Sequence, residues 1–266
     1  MYGVHPSRLP GPGLEFSQYR SYQPGDDPRR VDWKLYARSD RYFVREAEIE
    51  TSVTLRLLVD ASASMTQEDS GLSKFDYARF AAAALALLAH RQGDAVGLWA
   101  LRGGAIHTTP PRRHHHHLHH LLHTLETLEP GGAWPGWDQL ERLLVTSGRG
   151  LVVILSDLHE RHQEITTVAA KLAALRQEVL VFHLVGRVEL DGEWHGLRTF
   201  EELETGRRVE VDADAARPAY LAAQEQEHRR LKQALEERGV TYAQFVLDQP
   251  LDVALRHFLS TRERMQ

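Results

Sequence analysis

The sequence contains no cysteine and no long apolar run, and each absence excludes a class of protein. Without cysteine among its 266 residues, the chain forms no disulfide and uses no catalytic thiolate. The longest purely apolar run, 80–89, is well short of the ~20 residues that a membrane-spanning helix needs. The N-terminal residues also lack the apolar core of a secretory signal. We therefore expect a cytoplasmic protein without a membrane span.

Excess positive charge is also absent. The formal net charge is −5, which gives no reason to expect a nucleic-acid partner, because binding to phosphate backbones depends on Lys and Arg. Apolar and charged residues make up 42% and 26% of the chain, as is usual for a globular protein. The length allows one large domain or two small ones.

The stretch Leu55–Ser64 carries the most informative pattern in the chain. The apolar run 57–59 predicts a buried strand, and it ends at Asp60, with Ser62 and Ser64 at alternate positions beyond it. A strand that is buried on both faces usually belongs to a parallel sheet covered by helices. Ligands of such sheets bind beyond the carboxyl ends of the strands, which is where these three side chains would converge.

The rest of the chain alternates between strand and helix patterns, which predicts a mostly parallel sheet flanked by helices. Residues 187–211 interrupt the alternation, and Glu204–Gly206 predicts a hairpin turn there. Residues 1–50, rich in Pro, Gly, Arg and aromatics, are predicted as an N-terminal arm before a domain at 51–266. The predicted strands are 95–101, 105–108, 151–155, 179–185 and 241–247, and the predicted helices are 74–91, 114–129, 138–145, 163–177, 217–238 and 250–261.

Two motifs resemble known families. Asp60-Ala-Ser62-Ala-Ser64, together with Asp157 after a second apolar strand, resembles the metal-ion-dependent adhesion site of von Willebrand factor A domains. The segment from Tyr22 to Trp33, with its Pro-Gly-Asp-Asp core, is similar to the hallmark of the bacterial family called domain of unknown function 58. The resemblance implies a von Willebrand A-like, Rossmann-like α/β fold. It also implies a non-enzymatic adaptor that binds a protein partner, a MoxR-type AAA+ ATPase.

The oxygen ligands of this motif suit a hard cation. Hydroxyls and carboxylates favour Mg²⁺ or Mn²⁺, and the predicted metal residues are Asp60, Ser62, Ser64 and Asp157. The family site normally takes a threonine from a Gly-Gly-Thr loop, but the corresponding position here is Ala133. We therefore predict a degenerate site with low metal occupancy. Alternatively, the same side chains only cap a helix and satisfy turn amides.

Aromatic residues supply two further candidate surfaces. Trp134 and Trp137 lie in a Gly- and Pro-rich loop beside the predicted site, so we predict that they contact a partner. The arginines and aromatics of residues 19–45 suit either a partner surface or a packed arm whose Arg–Asp pairs fix a turn, and the second interpretation is favoured.

A histidine-rich helix is predicted at 114–129. Its leucines fall on one face at helical spacing, whereas His116, His120 and His123 fall on the opposite, solvated face. Histidines spaced i and i+4 can bind Zn²⁺ or Ni²⁺, but no acid lies near them in sequence to orient the rings. Adventitious metal binding is therefore favoured over a dedicated site.

Three other functions compete with a metal-dependent adaptor. The same loops can form a metal-independent interaction module. A metal-dependent hydrolase of the haloacid dehalogenase type would need a second aspartate two residues after Asp60 as general acid, and that position is Ser62. The chain also has neither a G-x-S-x-G elbow nor a Walker-type glycine loop. The third alternative is metal handling by the histidine helix.

Overall fold

The computed structural model describes residues 10–11, 15–48, 53–69, 71–136, 139–140, 149–159, 163–201, 203 and 206–265. The chain forms two compact units, Met1–Ser52 and Val53–Gln266.

The first unit is a small antiparallel sheet with one short helix. Its elements, in chain order, are β1 (Pro10–Gly11), β2 (Glu15–Ser21), α1 (Trp33–Ser39) and β3 (Phe43–Glu48). Strand β3 lies between β1 and β2. Helix α1 begins directly after Asp32 because the Asp32 carboxylate accepts hydrogen bonds from two backbone amides of its first turn. Strand β2 was not predicted, since its residues show no clean apolar alternation.

The second unit is built on a six-stranded sheet. Its strands are β4 (Thr54–Asp60), β7 (Ala95–Arg102), β8 (Ala105–Arg112), β9 (Leu151–Ser156), β10 (Glu178–Val185) and β13 (Thr241–Val246). The order is β13-β10-β9-β4-β7-β8. Every neighbouring pair is parallel except β7 and β8. This topology confirms the predicted von Willebrand A-like α/β class.

Helices cover the sheet and connect its strands. They are α2 (Lys74–Arg91), α3 (His115–Thr127), α4 (Glu164–Ala174), α5 (Arg187–Asp191), α6 (Ala213–Glu236) and α7 (Leu251–Met265). Helix α2 begins where the sequence predicts, at residue 74, because the Ser73 hydroxyl accepts a hydrogen bond from the Asp76 amide at 2.9 Å. Most of the helix predicted at 138–145 lies outside the described residues. Within the part of the chain that is described, no helix is both long and apolar enough to cross a membrane.

Two apolar clusters fill the space between the sheet and the helices. Leu57 and Val59 of β4 belong to the cluster with α2, α3 and α7. Leu58, between them, belongs to the cluster with α4 and α6 on the other face. Because successive side chains of a strand point to opposite faces, burial on both faces accounts for the uninterrupted apolar run in the sequence.

Two short antiparallel pairs lie outside the main sheet. One is formed by β5 (Glu68–Asp69) and β6 (Leu72–Ser73), directly before α2. The other is a hairpin of β11 (Leu197–Glu201) and β12 (Arg208–Asp212), within the region 187–211 where the sequence predicted an insertion. Of the predicted turn Glu204–Gly206, residues 204 and 205 are outside the described residues.

Candidate functional site

The candidate site lies where the strand order of the sheet reverses. From β4 the chain continues to β7 and β8 on one side of the sheet, and it then returns to β9 and β10 on the other. The carboxyl ends of β4 and β9 are therefore adjacent, and they carry Asp60 and Asp157. Loops diverge from such a reversal point and leave a crevice that ligands commonly use.

Asp60 is buried, and both of its carboxylate oxygens are hydrogen-bonded. Oδ1 accepts from the Ser62 amide at 2.9 Å. Oδ2 accepts from the Trp134 indole Nε1 at 3.0 Å and from the Ser156 hydroxyl at 2.6 Å. Burial, and secondarily the charge of Asp157, raise the pKa of Asp60 to about 6. The carboxylate thus holds three loops together, and its own charge is costly in that position.

The two motif serines connect Asp60 to Asp157. The Ser62 and Ser64 hydroxyl oxygens are 3.1 Å apart, and the Ser64 hydroxyl donates to Asp157 Oδ1 at 3.3 Å. Burial is the largest influence on the pKa of Asp157 and raises it, but the charge of Lys74 and the contacts with His159 together outweigh burial, so the net shift is downward. The structure therefore places all four residues of the predicted metal site in one buried group.

Lys74 completes this group, although it was not among the predicted site residues. It is the first residue of α2 and only 1% exposed. Its ammonium Nζ lies 2.8 Å from Glu189 Oε1, 2.9 Å from Gln67 Oε1 and 3.4 Å from Asp157 Oδ2. We refer to the following residues as the polar cluster: Asp60, Ser62, Ser64, Lys74, Ser156, Asp157 and Glu189.

Three members of the polar cluster were missed by sequence reasoning: Lys74, Ser156 and Glu189. A usable signal existed for Lys74, because a cation in the first turn of a helix opposes the helix dipole and so indicates a specific partner. Ser156 directly precedes Asp157 at the end of an apolar strand, as a second polar break. Glu189 gave no signal, since it comes from the short helix α5, which was not predicted.

The loop at 131–136 is joined to the loop after β4 by backbone hydrogen bonds. The Gly131 amide donates to the Ala61 carbonyl at 2.8 Å, and the Ala63 amide donates to the Gly132 carbonyl at 2.9 Å. Gly132 has φ +73°, and a Cβ atom there would lie 2.7 Å from the Cα of Gly103 in the β7–β8 turn. Glycine is therefore required at this close approach. We call residues 61–66 and 131–136 the edge loops.

The donor set suits a divalent cation poorly. Ala133, at the position where the resemblance to the adhesion site implies a threonine, supplies no side-chain oxygen. Both oxygens of Asp60 already accept from N–H or O–H donors, and Asp157 shares the cluster with an ammonium group. No group of three or more His, Asp or Glu residues suited to hold a metal occurs in the described parts of the chain. Occupancy by Mg²⁺ or Mn²⁺ stays a prediction.

The two tryptophans proposed for partner contact differ in what the structure says of them. Trp134 is partly buried, packs against the apolar cluster under α4 and α6, and donates to Asp60. Its indole therefore has a structural role, and a role in partner contact stays a prediction. Trp137 lies outside the described residues.

The histidine helix α3 has the predicted arrangement. Leu118, Leu121 and Leu125 are buried, whereas His116, His120 and His123 are exposed. The expectation that no acid lies near these histidines is wrong, because His123 Nδ1 lies 3.7 Å from Glu126 Oε2 one helical turn away. Two other histidines of this helix are in contact, since the Nε2 atoms of His115 and His119 are 3.0 Å apart.

The first unit contains both a fixed turn and exposed rings. The Arg20 guanidinium forms two hydrogen bonds with Asp26, at 2.8 and 3.1 Å, so an Arg–Asp pair holds the turn, as the packed-arm interpretation predicts. Trp33 and Tyr42 are 58% and 49% exposed, and their ring centroids are 6.4 Å apart.

A histidine–tyrosine network lies between the last two strands of the sheet. Tyr242 on β13 places its hydroxyl 2.6 Å from His183 Nδ1 and 3.1 Å from His228 Nδ1. Burial lowers the pKa of His183 to about 3, so this ring is neutral at neutral pH. The network ties α6 to the sheet.

Comparisons with known proteins agree with this fold. Uncharacterized proteins of Mycobacterium bovis and Mycobacterium tuberculosis are 31% identical to the chain over 222 residues, which cover 81% of it and 69% of theirs. Among solved structures, BatB from Bacteroides thetaiotaomicron is similar with a TM-score of 0.52 at 13% identity, over 80% of this chain and all of that one. An aerotolerance-related membrane protein from Bacteroides fragilis gives 0.50 at 16% identity, over 79% and 98%. These two likenesses support the fold alone.

The family follows from the sequence matches. The model of the family described as "Protein of unknown function DUF58" matches residues 18–230, which include the Pro-Gly-Asp-Asp segment of the first unit and the polar cluster of the second. The chain therefore belongs to the DUF58 family.

Proposed function

We propose that this protein is a non-enzymatic binding module that presents its edge loops to a protein partner, a MoxR-type AAA+ ATPase. The observation that carries the proposal is the state of the polar cluster. Asp60, Ser62, Ser64 and Asp157 are each 8% exposed or less, and each is hydrogen-bonded within the cluster. Groups held in this way shape loops rather than react with a substrate.

The same observation disfavours a hydrolase. A catalytic nucleophile needs a neighbouring base and access to the substrate. The shortest contact between a serine and a carboxylate in the cluster joins Ser156 to Asp60 at 2.6 Å. Ser156 is completely buried, so a substrate cannot reach its hydroxyl. The Ser156 hydroxyl also accepts the Leu158 amide at 3.0 Å. Both features suit a structural bond.

The surface available to a partner is the rim formed by the edge loops. Thr66, Gly132, Ala133 and Gly136 are exposed, and the backbone bonds between the loops hold this rim in one shape. A preformed rim loses little conformational freedom when a partner binds. The predicted degenerate metal site, with Mg²⁺ or Mn²⁺ at low occupancy, would lie beneath this rim, and the metal-independent form of the module needs the rim alone.

Affinity capture tests the proposal. Immobilised wild-type protein is mixed with the MoxR-type ATPase of the same organism, and Ala133→Arg is compared with Ala223→Arg, which alters an exposed alanine on α6. We expect Ala133→Arg to weaken capture about tenfold or more, since a large charged side chain would disrupt the centre of the contact, and Ala223→Arg to leave it unchanged. Equal capture by both variants and the wild type would remove the proposed surface.

A chelator arm separates the two forms of the proposal. If the metal-dependent form holds, EDTA releases the partner, and added Mg²⁺ or Mn²⁺ restores binding. If the metal-independent form holds, capture is the same with and without EDTA.

A further inference from the structure

The buried ammonium of Lys74 is the least expected feature of the polar cluster. Lysine is almost never fully buried without a partner, yet Lys74 is among the largest fully buried side chains of the described residues. Its position in the first turn of α2 adds an unfavourable interaction with the helix dipole. The cluster must therefore stabilise a positive charge at this point.

The acceptors around Lys74 match its donors in number and charge. An ammonium group has three N–H donors and no acceptor, and three oxygens surround it: Glu189 Oε1, Gln67 Oε1 and Asp157 Oδ2. Its two carboxylate partners are themselves shielded, with side chains 12% and 1% exposed for Glu189 and Asp157. The positive charge is thus satisfied by two acids that are largely shielded from solvent, Asp157 from the loop after β9 and Glu189 from helix α5.

Glu189 anchors this arrangement from the inserted region. Its second oxygen accepts the Gly186 amide at 2.8 Å, which fixes the side chain at the start of α5. The neighbouring Val188 amide donates to Asp69 Oδ2 at 2.9 Å, so α5 is also tied to the segment that leads into α2. Glu189 is thereby held in place to receive the ammonium.

The ammonium lies against the acid that a divalent cation would need. Asp157 binds Lys74 through Oδ2 and Ser64 through Oδ1, and Ser64 belongs to the predicted ligand set. Two cations that share one buried carboxylate repel each other strongly where the local dielectric constant is low. Because both oxygens of Asp60 already accept hydrogen bonds and the side chain of Ala133 has no oxygen, the cluster offers little to offset this repulsion.

We propose that Lys74 is the built-in cation of this site, and that its ammonium provides permanently the positive charge that the family resemblance assigns to Mg²⁺ or Mn²⁺. Partner binding by the module is then independent of divalent metal. The statement about partners rests on the proposed function, whereas the statement about cations is tested without any partner.

The test titrates Mn²⁺ alone against the full chain and follows free Mn²⁺ by electron paramagnetic resonance. Wild type and the matched control Lys232→Met, which changes an exposed lysine, should bind no Mn²⁺ up to about 1 mM. Lys74→Met leaves Asp157 and Glu189 without their cation, so we expect it to bind Mn²⁺ with a dissociation constant of about 0.1 mM or lower, at least about tenfold below the limit expected for wild type. Adding Asp157→Asn to Lys74→Met should abolish the new site.

Two results would overturn the proposal: Mn²⁺ binding by wild type that Lys74→Met does not strengthen, or a folded Lys74→Met protein that gains no site. If Lys74→Met does not fold, Lys74→Gln carries the same test, because its amide still donates to Glu189. The wild type gives a further measurement that needs no variant. Its thermal midpoint should differ by less than about 1 °C between EDTA and excess Mg²⁺, and a clear rise with Mg²⁺ would also refute the proposal. If the module fails to capture the proposed partner, the proposed function is refuted, but the Mn²⁺ titration and the thermal midpoints still test the statement about cations.

Discussion

Replacing Ser156 by alanine removes one hydroxyl from the centre of the polar cluster. In the wild type this hydroxyl donates to Asp60 Oδ2 at 2.6 Å and accepts the Leu158 amide at 3.0 Å. A hydrogen bond to a charged group contributes about 1.5–3 kcal/mol, and a buried donor left without a partner costs about 1–3 kcal/mol. We therefore expect Ser156→Ala to lower the free energy of unfolding by about 2.5–6 kcal/mol at pH 8.

The pH dependence of this loss identifies the bond. The Ser156 hydroxyl lowers the pKa of Asp60, so its removal raises that pKa above its wild-type value of about 6. At pH 8 the Asp60 carboxylate of the folded variant is ionised but has lost a hydrogen-bond donor. The free energy of unfolding therefore falls by about 1.4 kcal/mol for each unit by which the pKa of Asp60 rises. At pH 5 Asp60 is mostly protonated in both folded proteins, so this part of the loss disappears. The part that comes from the Leu158 amide remains.

Urea denaturation at pH 8 and pH 5, followed by far-ultraviolet circular dichroism, measures both parts. Thr127→Ala is the control, because it removes a hydroxyl from the exposed end of α3 and should change stability by less than about 0.5 kcal/mol. A loss for Ser156→Ala below about 1 kcal/mol at pH 8, or an equal loss at both pH values, would refute the role assigned to this hydroxyl.

Three more outcomes are expected. Gly132→Ala should lower the urea midpoint by the equivalent of about 1–3 kcal/mol, because of its positive φ and its close contact. Gly136→Ala, whose Cβ meets nothing within 4 Å, should be nearly neutral, and equal effects would contradict the close approach. Trp134→Phe keeps an aromatic side chain, although a smaller one, but removes the donor to Asp60, and should cost about 1–3 kcal/mol. Trp33→Phe, at an exposed ring, should cost almost nothing. His183 has a pKa lowered to about 3 against about 6.5 when unfolded, so the unfolded chain alone takes up this proton between those values. Stability should therefore fall as the pH falls from 6.5 towards 3, and His183→Gln should flatten that decline in urea titrations.

Local patterns identified most of the second unit because they reflect burial and chain reversal. Strand β4 could be predicted from its apolar run because both faces of that strand are buried. The start of α2 could be predicted because its cap, the Ser73 hydroxyl, is only three residues from the amide that it binds. Helix α6 begins at Ala213, about four residues earlier than predicted. There the Asp212 carboxylate accepts the Ala215 amide, and this cap outweighs the preference of Pro218 for a helix start.

The candidate site also contains residues that local sequence patterns predict and contacts that they do not. The motif residues Asp60, Ser62 and Ser64 are close in sequence, and Asp157 follows an equally apolar strand, so the sequence alone could place all four at one edge of a parallel sheet. The hydrogen bond between Trp134 and Asp60 joins residues that are 74 positions apart in the sequence, and the ion pair between Lys74 and Glu189 joins residues that are 115 positions apart. No periodicity or spacing rule encodes such contacts, since they arise only when separate loops meet.

By itself, the sequence determined the α/β class, the buried central strands and the acid–serine motif at their carboxyl ends, because apolar periodicity and helix caps act over a few residues. Only the tertiary structure decided how the charges in the site are balanced. A buried carboxylate is stable only with partners brought to it in space, and for Asp157 that partner is the ammonium group at the start of helix α2, held in turn by Glu189.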